Sequence, residues 1–134
     1  MMVRLIKGAY WDSEIKKAQM LGLSDYPVFT RKVFTDLSFQ ACAKKILSMT
    51  DAIYPQFATH NARTVATIIE MAEGRDYEFQ RLHGMGEALY RALAPEAPVR
   101  VYAPVGEHEQ LLPYLVRRLL ENGANTSFVH SFLD

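Results

Sequence analysis

The chain has 134 residues, 49% of them hydrophobic, and its fifteen basic residues balance fifteen acidic ones. That length suits one domain with a real core, the composition argues against disorder, and the scattered, balanced charge gives no general attraction to nucleic acid or to an anionic membrane. No apolar run reaches the roughly 20 residues of a membrane span and no signal-peptide pattern opens the chain, while the single Cys42 cannot form an internal disulfide, which points to a reducing, intracellular setting.

Val3 to Tyr10 opens as Val-Arg-Leu-Ile-Lys and reads as a strand meeting a turn at Gly8. Ser13 to Met20 is helical, with a break from Gly22 to Pro27. A stronger helix runs from about Lys32 to Ser48, with Val33, Leu37, Ala41 and Ile46 among its apolar positions. Cys42, between two alanines, reads as a small packing group within it. Asp51 to Thr59 is the second predicted strand. Ala62 to Glu73 is amphipathic, with Val65, Ile68, Ile69 and Ala72 on one face and Gly74 as its stop. Tyr77 to Leu82 is the third strand and Glu87 to Leu93 a short helix. Val99 to Ala103 is the fourth strand, followed by a helix from His108 to Asn122.

Four strand–helix units in succession predict an α/β fold with a mainly parallel sheet. The residues suited to chemistry gather just after the strands: Lys7 to Trp11, Ala58 to Asn61, Leu82 to Gly86 and Tyr102 to Gly106. Barrels and open parallel sheets both place their sites there. A complete (β/α)8 barrel needs about 250 residues, so this length matches half a barrel or a small doubly wound domain. A nucleotide-binding doubly wound domain carries a glycine fingerprint after its first strand, and Lys7-Gly8-Ala9-Tyr10-Trp11 is not one. The half-barrel is the better reading.

The last helix sets Arg117 and Arg118 among Leu111, Leu112, Leu115, Val116, Leu119 and Leu120. That leucine density predicts a largely covered helix. Two guanidiniums about 100° apart on it call for anions. Glu121, four residues beyond Arg117, can answer one of them, and a small carboxylate or phosphate suits the other. The alternative is a helix edge whose arginines reach water along their own stems. At the first strand end, Lys7, Gly8, Ala9, Tyr10 and Trp11 combine a cation, a permissive backbone and two aromatics, fit either for a flat ligand or for core packing. Thr59, His60 and Asn61 end the second strand; His60 can donate to a ligand oxygen, while Thr59 or Asn61 can cap the next helix. Tyr102 can cover an apolar substrate face or pack in the core. No metal site is expected, because His60, His83, His108 and His130 lie far apart and no His-Glu-x-x-His pattern occurs. No Gly-x-Ser-x-Gly elbow marks a nucleophile. Aromatics, amides and cations suit a large anionic cofactor better than acid–base work by a carboxylate pair.

Five stretches carry a family resemblance: Arg4-Leu-Ile-Lys-Gly-Ala-Tyr-Trp-Asp12, Tyr54-Pro-Gln-Phe-Ala-Thr-His-Asn61, Tyr77-Glu-Phe-Gln-Arg-Leu-His-Gly-Met-Gly86, Tyr102-Ala-Pro-Val-Gly106 and Tyr114-Leu-Val-Arg-Arg-Leu-Leu-Glu-Asn-Gly-Ala-Asn-Thr-Ser-Phe-Val129. In order and over nearly the whole chain, they resemble the proline dehydrogenase domain, above all that of the bifunctional proline utilisation A flavoenzymes. The resemblance implies residues 1–134 as the C-terminal half of a (β/α)8 TIM-like barrel, four βα units resembling strands 5 to 8. It implies FAD-dependent oxidation of L-proline to 1-pyrroline-5-carboxylate by hydride transfer to flavin N5.

By the same resemblance, Arg117 and Arg118 clamp the proline carboxylate, Tyr102 packs on its ring, Leu82 lines the pocket and Arg4 lies near the flavin's reactive edge. Lys7, Gly8, Ala9, Tyr10 and Trp11 line the flavin. Thr30, Lys32 and Thr35 reach the pyrophosphate and adenosine portion. Thr59, His60, Asn61 and Gln80 serve the isoalloxazine, ribityl or phosphate groups; Glu121 holds a ribose hydroxyl and Phe128 stacks near the adenine. The implied electron acceptor is a quinone, reached by peripheral association of a cytoplasmic enzyme with the inner membrane, with no nucleic acid bound through this segment. The resemblance starts at the fifth strand. The earlier strands, with a lysine and an aspartate of the pocket, are therefore expected from a missing half-barrel or through self-association. The alternative is a non-catalytic remnant or partner that binds FAD or phosphate without turnover.

Overall fold

The computed structural model describes residues 1–95 and 97–130, with side chains described as far as residue 119. Its elements are β1 (Met2–Ile6), α1 (Trp11–Met20), α2 (Lys32–Leu47), β2 (Tyr54–Ala58), α3 (Ala62–Ala72), β3 (Glu78–Leu82), α4 (Glu87–Leu93), β4 (Val99–Tyr102) and α5 (His108–His130). All three strand pairings are parallel and the sheet order follows the chain, β1-β2-β3-β4. A doubly wound sheet reverses its strand order partway, whereas a barrel winds in one direction as this sheet does. Met1–Tyr102 forms one compact unit, and a second begins at Ala103.

In the first unit, side chains alternate across the strands. One face carries Leu5, Phe57, Phe79 and Val99 into a core closed by Phe39, Ala43 and Leu47 of α2, Val65, Ile68 and Ala72 of α3, and Tyr90 of α4. Phe57 and Phe79 are 0% exposed, and each such ring contributes roughly 1.5–3 kcal/mol by burial. Tyr77 and Tyr90 each approach the Phe79 ring at 5.2 Å between centroids. The other face carries Arg4, Gln56, Glu78, Gln80, Leu82, Arg100 and Tyr102. The register sets Arg4 beside Gln56, Gln56 beside Glu78, Gln80 beside Arg100 and Leu82 beside Tyr102.

Several boundaries differ from expectation. β1 ends at Ile6, because Gly8 and Tyr10 take left-handed backbone angles (φ 79° and 59°), and α1 starts at Trp11. β2 starts at Tyr54, not Asp51, since the N–H groups of Ala52 and Ile53 close a turn on the Met49 carbonyl at 3.0 and 2.8 Å. α3 ends at Ala72, with Glu73 (φ 47°) and then Gly74 (φ 80°) making the left-handed stop. α5 continues through Gly123 to His130 rather than ending at Asn122; one interior glycine costs about 1 kcal/mol, too little to end a long helix.

Two expectations about covered surfaces fail: that Cys42 packs within α2, and that α5 is largely covered. α2 turns Phe39, Ala43 and Leu47 to the core, so Val33, Leu37 and Ala41 lie on its exposed side, Ile46 is only partly buried and Cys42 is exposed. The helix is apolar on both sides, and spacing alone does not choose between them. In α5, Leu112, Leu115, Val116 and Leu119 are exposed and Leu111 is half-buried, so the described apolar residues of this helix are mostly uncovered.

Candidate functional site

The end of β1, the turn after it, the segment before α2 and α2 itself line an open cavity of about 600 Å³. Lys7, Gly8, Ala9, Trp11, Thr30 and Thr35 line it, together with Tyr26, Phe29, Phe34 and Ser38. The Trp11 indole N–H donates to the Phe29 carbonyl at 2.8 Å, fixing one wall. Phe29 and Phe34 meet at 6.3 Å between centroids. Lys7 Nζ donates to Asp36 Oδ1 at 2.7 Å and to Thr64 Oγ1 at 3.2 Å, with the Phe39 ring 5.2 Å away. Its ammonium is therefore anchored between α2 and α3. Lys32 also pairs with Asp36. Burial acts to raise the Asp36 carboxyl, but hydrogen bonds from Lys32 and Lys7 outweigh it and hold the group below its ordinary value. Tyr10 and Lys32 flank the cavity in sequence but are not among its lining residues.

A second group lies on the polar face of the sheet. Arg4 Nε donates to Gln80 Oε1 at 2.7 Å, and its guanidinium carbon lies 4.9 Å from the centroid of the Tyr102 ring. Leu82 pairs with Tyr102 in the register. The structure thus brings Arg4, Gln80, Leu82 and Tyr102 together. At the centre is Glu78, which no motif singled out. Its carboxylate accepts from Arg100 Nε (2.7 Å) and Nη2 (2.9 Å), from Gln56 Nε2 (2.7 Å) and from Gln80 Nε2 (3.0 Å). Glu78 is 4% exposed. The Arg100 guanidinium is the largest influence on it and, with Gln80 and Gln56, overcomes burial to pull the carboxyl down to about 2.

The residues ending β2 are built into the fold. Asn61 Oδ1 accepts from the Thr64 N–H at 3.0 Å and caps α3. Thr59 Oγ1 accepts from the Asn61 N–H at 3.2 Å, and the Thr59 carbonyl accepts from Tyr90 Oη at 2.6 Å. His60 Nε2 accepts from the Leu82 N–H at 3.0 Å. An accepting ring nitrogen carries no proton, so the imidazole N–H sits on Nδ1. Gly86 (φ 74°) lies against the same ring: a Cβ there would stand 3.0 Å from His60 Cδ2.

In the second unit, Arg117 and Arg118 occupy successive half-buried positions of α5, and the Arg118 guanidinium lies 5.3 Å from the Tyr114 ring centroid. Glu121 and Phe128 lie outside the residues whose side chains are described. Sequence reasoning missed Glu78, Arg100 and Gln56. Their only signal was alternation: Glu78, Gln80 and Leu82 occupy the same face of one strand.

The proline dehydrogenase family model matches residues 1–131. The bifunctional protein PutA of Klebsiella aerogenes and that of Escherichia coli K12 are each 61% identical to the chain over 145 residues, covering 100% of it and 11% of their own length. A solved structure of proline utilization A from Bradyrhizobium japonicum superimposes with a TM-score of 0.84 at 67% identity, covering 96% of this chain and 14% of that one. The chain therefore spans about a tenth of the length of the curated relatives it matches. Its four βα units, wound in one direction, are part of a barrel of the TIM type. By sequence, by sheet topology and by superposition, the chain belongs to the proline dehydrogenase family.

Proposed function

We propose that residues 1–134 are the carboxyl-terminal half of a proline dehydrogenase barrel, with β1 to β4 as its fifth to eighth strands. The complete domain would oxidise L-proline to 1-pyrroline-5-carboxylate. The observation that carries this reading is the arrangement at the carboxyl end of β1 and beside it. There an aromatic, hydroxyl-lined cavity adjoins the strand that presents Arg4 on the polar face of the sheet.

The cavity suits part of a flavin dinucleotide. Its volume of about 600 Å³ lies within the roughly 300–1,000 Å³ of cofactor sites. Trp11, Tyr26, Phe29 and Phe34 offer flat apolar surfaces, and Thr30, Thr35 and Ser38 offer hydroxyls. FAD, when bound, would supply at N5 the acceptor for a hydride. Lys7, Gly8, Ala9, Tyr10 and Trp11 would line the flavin, and Thr30, Lys32 and Thr35 its pyrophosphate and adenosine portion. Thr59, His60, Asn61 and Gln80 would serve the ring system and its chain, Glu121 a ribose hydroxyl and Phe128 the adenine.

Proline would lose a hydride from the ring carbon beside nitrogen and a proton from nitrogen, which forms the C=N bond. Arg117 and Arg118 would hold the carboxylate through charge-assisted contacts that fix orientation as well as affinity. Tyr102 and Leu82 would bound the ring. Arg4 would stabilise negative charge developing at the reactive edge. Electrons would pass to a quinone, with the complete protein cytoplasmic and peripheral to the inner membrane. The remaining strands would come from the other half of the barrel or from self-association.

Titrating FAD into the purified protein, with the flavin spectrum and the solution mass recorded together, tests this reading. Retained flavin whose spectrum shifts with a proline-like carboxylate is expected once the barrel is complete. A protein of complete barrel that retains no flavin overturns it.

A further inference from the structure

On the polar face of the sheet one carboxylate meets Arg100 directly and Arg4 only through Gln80. Glu78 gives both oxygens to Arg100 in a two-pronged contact (2.7 and 2.9 Å), whereas Arg4 reaches only the neutral Gln80 Oε1 at 2.7 Å. An ionised carboxylate accepts and never donates. Gln80 must therefore turn its NH2 to Glu78, as it does at 3.0 Å, which leaves only its carbonyl oxygen for Arg4. Reversing the Gln80 amide would set oxygen against carboxylate and NH2 against guanidinium, two repulsive contacts instead of two hydrogen bonds. Gln56 turns its NH2 to the same carboxylate at 2.7 Å, which holds Glu78 from the other side.

The charges along this path also follow a pattern. Arg100 neutralises Glu78, Gln80 carries no charge, and Arg4 keeps its own positive charge beside the Tyr102 ring at 4.9 Å. A direct Glu78–Arg4 pair would have anchored the same guanidinium while cancelling its charge. We propose that Glu78 is a positioning residue: it fixes the Gln80 amide so that Arg4 is anchored by a neutral oxygen and keeps its charge for the cofactor. The structural half of this proposal stands on the contacts above. Its functional half rests on the reading of Arg4 as a group at the flavin's reactive edge.

The test begins without flavin. In 15N-labelled protein the Arg4 Nε–H and the Gln80 side-chain NH2 are followed in wild type and in Glu78→Gln, which keeps the side chain's size but can present either a donor or an acceptor to Gln80. The expected result is a shifted Gln80 signal and Arg4 Nε–H exchange faster by about tenfold, the loss of one charge-assisted bond. Arg4 exchange equal to wild type in a folded Glu78→Gln protein overturns the proposal, whatever the flavin does. Should Glu78→Gln fail to fold, Gln80→Leu cuts the same path while leaving Glu78 with Arg100. It must speed Arg4 exchange equally, and unchanged exchange there is equally fatal. In the flavin-loaded protein Glu78→Gln is expected to make the midpoint potential of the flavin more negative, because a displaced Arg4 stabilises the reduced ring less. A released Arg4 with an unmoved potential overturns the functional half, while absence of flavin binding in wild type counts against the function proposed above and leaves the Arg4 exchange result standing.

Discussion

Tyr90 offers a sharp test of how the end of β2 is held. It is 4% exposed, packs on Phe79 at 5.2 Å, and its hydroxyl donates to the Thr59 carbonyl at 2.6 Å. Tyr90→Phe keeps the ring, removes the donor and leaves a carbonyl beside the core without that hydrogen bond. The lost bond and the desolvated carbonyl together amount to about 1–3 kcal/mol. Burial, the dominant cause, also pushes the Tyr90 hydroxyl well above its ordinary value of 10.0. The folded state therefore favours the neutral phenol. That contribution is fully present below pH 10 and is lost as pH rises above it, by about 1.4 kcal/mol for the first unit. Urea unfolding followed by circular dichroism at pH 8 and at pH 11 reads both effects. Tyr90→Phe should be less stable than wild type at pH 8, and the gap should narrow at pH 11 because only wild type has a phenol that ionises on unfolding while the buried one stays neutral. The raised Tyr54 and Tyr77 act equally in both proteins and cancel from the comparison. A variant within 0.5 kcal/mol of wild type at pH 8, the usual scatter for neutral substitutions, with an identical pH slope would refute the assignment.

Gly86→Ala should destabilise by about 1–2 kcal/mol from its left-handed backbone alone, and its Cβ, 3.0 Å from His60 Cδ2, should also displace the imidazole; faster amide exchange at Leu82, whose N–H donates to that ring, checks the second effect. Lowering the pH should weaken wild type between 4.5, the ordinary value for Glu78, and about 2, where its folded-state carboxyl titrates. A carboxyl depressed in the folded state stabilises above its unfolded value and loses that contribution as it protonates. Glu78→Gln should show a shallower acid slope in urea midpoints over this window. Asn61→Ala should remove the cap of α3 and cost about 1 kcal/mol, measured by the same unfolding series.

How legible these features were in the sequence depended on how many partners each one needed. The α3 face of Val65, Ile68 and Ala72 was readable because one side of that helix is apolar and the other is not, and those residues are buried. Asn61 could be read as a cap because that bond closes within four residues. α2 could not be oriented, since Phe39, Ala43 and Leu47 compete with an equally apolar Val33, Leu37 and Ala41, and only the sheet decides between them. The strand order that separates a barrel from a doubly wound sheet matched what the missing glycine fingerprint suggested. Glu78 was invisible for a different reason. Its role is set by Gln56, Gln80 and Arg100 on three strands, and no local spacing encodes a contact across a sheet. Lys7 was placed at the first strand end by sequence, but its anchoring by Asp36 and Thr64 appears only once α2 and α3 pack. The roles expected of Arg117 and Arg118 came from family resemblance, because a helix alone leaves both a carboxylate and water as answers to paired arginines.

The central claim is that this chain supplies the carboxylate clamp and much of the flavin site of a proline dehydrogenase. Its most direct test is Arg118→Ala in the complete flavin-loaded enzyme, with FAD content and the binding of a proline-like carboxylate measured on the same sample through the flavin spectrum. The account predicts near-normal FAD content with carboxylate affinity weakened by about ten- to a hundredfold, the loss of one charge-assisted contact. Unchanged carboxylate affinity, or loss of FAD together with the fold, would contradict it.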